Sequence, residues 1–215
     1  MSEPTKKRVL VTGMSGLIGS ALYRELGDRY VWRALNRRPM PGVETRQADI
    51  GDLAAIRPAF DGVDVVVHLA ANARVSAPWE EVLHHNVIGT YNVFEAARQA
   101  GVSRVVFASS GATVSGVQRE EPYKALVEGR YSDVEESWPM LTHRSMVRPT
   151  GLYGVSKVWG EVLARHFVDI SPLSILCLRI GYVNREDRPT EPAHFANWCS
   201  QRDIVQAIQR AIEAP

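Results

Sequence analysis

Long hydrophobic runs are missing from this chain. So are a strong charge of either sign, a cysteine framework and any internal repeat. No stretch approaches the roughly 20 apolar residues of a membrane-spanning helix. The opening MSEPTKKRVLVTG has no apolar core of a signal peptide. Lys and Arg number 25 against 24 Asp and Glu, a formal net charge of +1. No broad field therefore draws the chain to nucleic acid or an anionic membrane, and neither is expected as a partner. The two cysteines, Cys177 in an apolar run and Cys199 beside Trp198, lack metal-ligand spacing. A reduced, cytoplasmic protein is the simplest expectation. His84 and His85 have no carboxylate nearby in sequence at ligand spacing, so they are read as structural or surface residues and no metal site is expected.

What is present is a 215-residue chain, 45% hydrophobic, enough for one sizeable core. Short apolar runs at 8–12, 31–35, 64–70, 104–109 and 173–180 read as strands. They are nearly continuous in apolar residues, as parallel strands buried on both faces are. Amphipathic stretches at 16–27, 52–60, 80–100, 154–169 and 201–213 lie between and after them. This alternation predicts an α/β fold with a doubly wound parallel sheet, whose ligands bind at the carboxyl ends of the strands. Residues 117–150 break the pattern, being rich in charge, Pro, Trp and Tyr. They read as a long excursion, a lid insertion or disorder.

The first strand runs into TGMSGLIGS, with glycines at 13, 16 and 19. The spacing is wider than GxGxxG, but the physics is shared. Gly13 permits a tight turn, Gly16 lets backbone approach a pyrophosphate, and Gly19 lets the following helix pack closely. The phosphates would meet the helix N-terminus around Ser15, Leu17 and Ile18. At the end of the second strand, where an acid would take a ribose 2′-hydroxyl, stand Asn36, Arg37 and Arg38. Arginine clamps a 2′-phosphate and an acid would repel it, so NADP is favoured over NAD. The competing reading is a pair of solvated loop charges. Asp49, followed by Ile50, is placed either to bond an adenine amino group or to cap the next helix. Leu69, Ala70 and Ala71 end a strand in small side chains that suit close approach of a ribose.

Together Thr12-Gly13-x-x-Gly16-x-x-Gly19, Asp49-Ile50, His68-Leu69-Ala70-Ala71, Asn86-Val87-Ile88-Gly89-Thr90, Ser109-Ser110 and Tyr153-x-x-x-Lys157 resemble the extended short-chain dehydrogenase/reductase family, in its order and over nearly the whole chain. The resemblance implies a Rossmann-type domain over 1–215, a nicotinamide cofactor and a likeness closest to the uronate dehydrogenases. It implies Tyr153 as general acid/base and Lys157 as the cation that lowers the tyrosine pKa and holds the nicotinamide ribose. A serine would hold the substrate oxygen, and Asn86 would support a proton-relay water. Ser110 is favoured for the serine role, because the family position falls on Gly111, with Thr113 the alternative. Helices like 80–100 and 154–169 form the family's four-helix interface, which implies a homodimer.

The substrate implied is a sugar or sugar acid with a secondary hydroxyl or carbonyl. Arg74, Gly111, Thr113, Tyr182 and Arg185 are its candidate contacts. A small C-terminal substrate lobe begins near 181. Family members continue beyond the last helix, so the chain is either a short variant or lacks a tail. Two other functions stay open: a nucleotide-sugar epimerase that keeps its cofactor, and a cofactor-binding redox sensor without turnover. His68 reads as a satisfied buried histidine, Arg179 as making structural hydrogen bonds, and Trp79, Trp159 and Trp198 as packing.

Overall fold

A computed structural model describes residues 6–74 and 76–215. The first five residues, part of the stretch read for a signal peptide, lie outside them. Six strands form one parallel sheet: β1 (Arg8–Thr12), β2 (Val31–Asn36), β3 (Glu44–Gln47), β4 (Val65–His68), β5 (Arg104–Ser110) and β6 (Ser174–Ile180). Their order is β3-β2-β1-β4-β5-β6. The chain therefore reverses its direction of travel across the sheet between β1 and β4, the place where doubly wound folds open a ligand crevice.

The helices are α1 (Leu17–Leu26), α2 (Leu53–Ile56), α3 (Trp79–Val82), α4 (Gly89–Gln99), α5 (Tyr123–Glu128), α6 (Gly151–Ile170), α7 (Pro192–Phe195) and α8 (Gln201–Glu213). Strand side chains alternate between faces, and the two cores follow that alternation. Leu10, Val66, Val105 and Phe107 meet Phe94 of α4 and Ala164 and Phe167 of α6 on one face. Val9, Val11, Val67 and Val106 meet Leu22 of α1 and Ile208 and Ile212 of α8 on the other. Among the described residues no helix is long and apolar enough to cross a membrane.

Three features differ from the sequence reading. The polar strand β3 was not expected. It lies on the sheet edge, paired on one side only, and three of the four residues of ETRQ are exposed. At the opposite edge β6 is half-buried along its length rather than buried on both faces. The stretch 80–100 is interrupted by a π-helical turn, Leu83–Ile88, and Trp79 at its start is half-exposed instead of packed. The 117–150 excursion carries two exposed sets of ion pairs. Arg130 meets Glu121, Glu128 and Asp133, and Arg148 meets Glu120.

Candidate active site

The glycine loop forms because its backbone must turn where side chains have no room. Gly13 has φ +72°, and a Cβ there would stand 2.9 Å from the Ala70 nitrogen. A Cβ on Gly19 would fall 2.5 Å from the Met14 backbone, so its close approach is to the loop rather than to the sheet. Thr12 ties this loop to the end of β4. Its hydroxyl accepts from the Ala70 N–H at 3.1 Å and lies 2.7 Å from His68 Nδ1. His68 Nε2 stands 3.2 Å from the Thr90 hydroxyl. Burial, with the Lys157 charge second, pushes the His68 pKa down to about 3, so the ring is neutral. His68 is the satisfied buried histidine expected of it.

A crevice of about 960 Å³ opens beside this loop. Of the expected cofactor residues, Gly13, Ser15, Gly16, Asn36, Arg37, Arg38, Asp49, Ile50, Leu69, Ala70 and Ala71 line it. Leu17, Ile18 and Gly19 form the first turn of α1 instead. Asn36 is 5% exposed, and neither its amide nitrogen nor its oxygen has a hydrogen-bond partner among the described residues. A buried amide left in that state costs on the order of 1–3 kcal/mol. Such a group is suited to a polar ligand. Asp49 does not cap α2; that cap is Asp52, which accepts from the Ala55 N–H. Asp49 accepts from the Gly51 N–H at 2.8 Å and stands 3.0 Å from His84 Nε2. Burial raises its pKa, but these two contacts outweigh it and the net shift is downward. The sequence reading left His84 without a carboxylate, and the fold supplies one from 35 residues away.

At the same carboxyl end of the sheet, two strands along from β1, α6 brings its first turns over the end of β5. Gly154 permits this, since a Cβ there would lie 2.7 Å from the Ala112 carbonyl. Tyr153 and Ser110 come together. Burial raises the phenol pKa, and the nearby Ser110 hydroxyl opposes the rise. The expected lowering by Lys157 is not what the geometry gives. The Lys157 ammonium donates to the Ala108 carbonyl at 2.7 Å and lies 5.6 Å from the Tyr153 ring centre. Its own burial lowers its pKa to about 8.

Asn86 is 2% exposed in the π-helical turn. It accepts from the Asn72 N–H and donates to the Asn72 carbonyl and to Ser156, which in turn donates to the Tyr153 carbonyl. These bonds tie the Asn86 amide to the loop after β4 and to the first turns of α6.

The substrate candidates divide. Thr113 is fully buried and donates to the Ser110 carbonyl, so it does not face a ligand. Gly111 lies in the short turn between β5 and the excursion. Arg74 lines the crevice but is paired with Glu81 at 2.5 Å. Tyr182 stacks on His194 with ring centres 3.9 Å apart, and Arg185 is exposed. Sequence reasoning missed Glu161, one turn beyond Lys157. It accepts from Ser109 at 2.5 Å and from Arg179 at 2.9 and 2.8 Å. The spacing 153, 157, 161 was the available signal, since residues four apart share a helix face. Arg179 has the structural role expected of it.

The chain matches the model of the NAD dependent epimerase/dehydratase family over residues 9–202. It is 36% identical to the NAD-dependent glucose-6-phosphate dehydrogenase of Haloferax volcanii, over 96% of this chain and 80% of that protein. It is 35% identical to the L-arabinose 1-dehydrogenase (NAD(P)(+)) of the same organism, over 96% and 83%. The crystal structure of uronate dehydrogenase from Agrobacterium tumefaciens superposes with a TM-score of 0.80 at 34% identity, covering 97% of this chain and 73% of that one.

Proposed function

From its membership of the NAD-dependent epimerase/dehydratase family, to which this chain belongs, we propose that it is an NAD(P)-dependent oxidoreductase that dehydrogenates a hydroxyl of a sugar or sugar acid. The observation that carries the reading is the placement of Tyr153 one helical turn before the buried Lys157, whose ammonium donates to the Ala108 carbonyl and lies 5.6 Å from the tyrosine ring centre, over the carboxyl end of β5 where Ser110 stands.

The crevice fits a dinucleotide. Gly13 leaves room for backbone alone, and the unpartnered amide of Asn36 suits a ribose hydroxyl or its phosphate. Gly13, Ser15 and Gly16 would hold the pyrophosphate, Leu69 to Ala71 the ribose, and Asp49 and Ile50 the adenine. A bound nicotinamide supplies a hydride acceptor. Tyr153 then takes the proton of the substrate hydroxyl, and the Ser110 hydroxyl holds the same oxygen. Because the phenol pKa is raised, the base form of Tyr153 is scarce near neutrality. Turnover in the oxidising direction therefore climbs as pH rises toward that pKa.

Finer points belong to the same proposal. Asn36 with Arg37 and Arg38, and no acid among them, favours NADP. The excursion 117–150 acts as a lid over a substrate lobe that starts near 181, where Tyr182 and Trp198 form a bridge. A homodimer would cover the exposed Tyr91, Val155 and Val162 of α4 and α6.

The test is a panel of sugars, sugar acids and nucleotide sugars assayed for absorbance change of added NADP or NAD. Net reduction with a sugar or sugar acid supports the proposal. Conversion without net reduction would point to an epimerase, and binding without turnover to a sensor.

A further inference from the structure

Beside the glycine loop lies a second cluster of chemistry-bearing groups. Asp49 comes from the loop after β3, and His84 and His85 come from the π-helical turn. One ligand atom from each lies within 4.8 Å of the others. Asp49 Oδ1 is 3.0 Å from His84 Nε2 and 3.9 Å from His85 Nδ1. Donor atoms around a tetrahedral zinc, bonded at about 2.0–2.1 Å, stand roughly 3.3 Å apart. Those two distances bracket that value and the histidine pair lies within 4.8 Å, so side-chain adjustments of up to about 1.5 Å would complete three ligands.

Local structure prepares the arrangement. Neighbouring residues on an α-helix diverge by about 100°, and the wider π turn reduces that angle. The rings of His84 and His85 meet edge to face with centres 4.8 Å apart. Gly51 is what lets the His84 ring lie against the loop, because a Cβ there would fall 2.3 Å from it. The Gly51 N–H also fixes the Asp49 carboxylate. Two imidazoles and one carboxylate suit zinc, nickel or copper, and three protein ligands leave a position open.

We propose that Asp49, His84 and His85 form a divalent transition-metal site, and that metal and dinucleotide exclude one another there. The exclusion rests on the functional reading above, which gives the wall lined by Asp49 and His85 to the adenosine half of the cofactor. An ion held there would occupy the Asp49 carboxylate that the functional reading gives to the adenine. Zinc at ten times its own dissociation constant would then weaken apparent cofactor affinity about elevenfold.

The experiment is calorimetric titration of tag-free protein with zinc chloride in a non-chelating buffer. One site per chain is expected, weakened at least about tenfold in His84→Ala and in Asp49→Asn. Equal binding by wild type and both variants overturns the site. Should a variant fail to fold, cobalt(II) added to wild type decides instead. Tetrahedral-type visible bands support the site, and the spectrum of the hydrated ion overturns it. NADPH fluorescence titrations with and without zinc test the exclusion, which an unchanged affinity overturns. Failure of NADPH and NADH to bind the metal-free protein would defeat the functional reading, while calorimetry still decides the metal site.

Discussion

Replacing Glu161 by Gln tests whether the side of the site that sequence reasoning missed holds it in shape. The carboxylate takes two hydrogen bonds from Arg179 and one from Ser109, with side chains only 21% and 17% exposed across the ion pair. Breaking a buried pair costs about 3–5 kcal/mol. The residual exposure here, and the oxygen that glutamine keeps, reduce this to about 2–3 kcal/mol. For a chain of this size the melting temperature should fall by roughly 4–12 °C. The loss depends on pH in a fixed direction. Burial raises the Glu161 pKa, but the bonds from Arg179 and Ser109 outweigh it and the net shift is downward. Its contribution is therefore full above the unfolded value of 4.5 and is lost as pH falls through the lower folded value. Urea denaturation of Glu161→Gln, Arg179→Met and the double variant at pH 7 and in acid measures both effects. Ser109 adjoins Ser110, and Lys157 lies one turn before Glu161, so kcat should fall more than the cofactor KM rises. A melting shift below about 2 °C, or one unchanged in acid, would refute the reasoning.

Three further outcomes follow from the geometry. His68 titrates near 3 in the fold against 6.5 when unfolded, so stability should fall below pH 6.5. The slope reaches ~1.4 kcal/mol per pH unit. His68→Gln should lose that slope in urea midpoints, and identical profiles would count against a neutral buried ring. Asn36→Asp would set a carboxylate against a 2′-phosphate at a cost of roughly 2–4 kcal/mol. The ratio of NADPH to NADH affinity should then drop by roughly 30- to 900-fold, and an unchanged ratio would remove Asn36 from the ribose site. Ser110→Ala should lower turnover about a hundredfold with cofactor affinity intact. Normal turnover would move the hydroxyl role away from Ser110.

Five of the six strands were legible, because Val9 to Val11 and Val65 to Val67 are apolar runs with nowhere to go but a core. β3 was not, because Glu44 and Gln47 on an edge strand carry no apolar period. The glycine loop was legible because steric demand at Gly13 and Gly19 writes itself into residue type. Ser110 and Thr113 were not separable by counting hydroxyls. A 3-10 turn at Gly111–Thr113 buries one and leaves the other beside Tyr153. The Asp49–His84 contact was invisible because a loop and a helix 35 residues apart meet only in the fold.

The most direct test of the central claim is Tyr153→Phe, which removes one oxygen and leaves the ring beside Lys157. Turnover of whichever sugar or sugar acid the wild type oxidises should fall by about 10²–10⁴. NADPH affinity, read by fluorescence, should stay within about threefold of wild type. Turnover near the wild-type rate would contradict Tyr153 as the group that moves the proton.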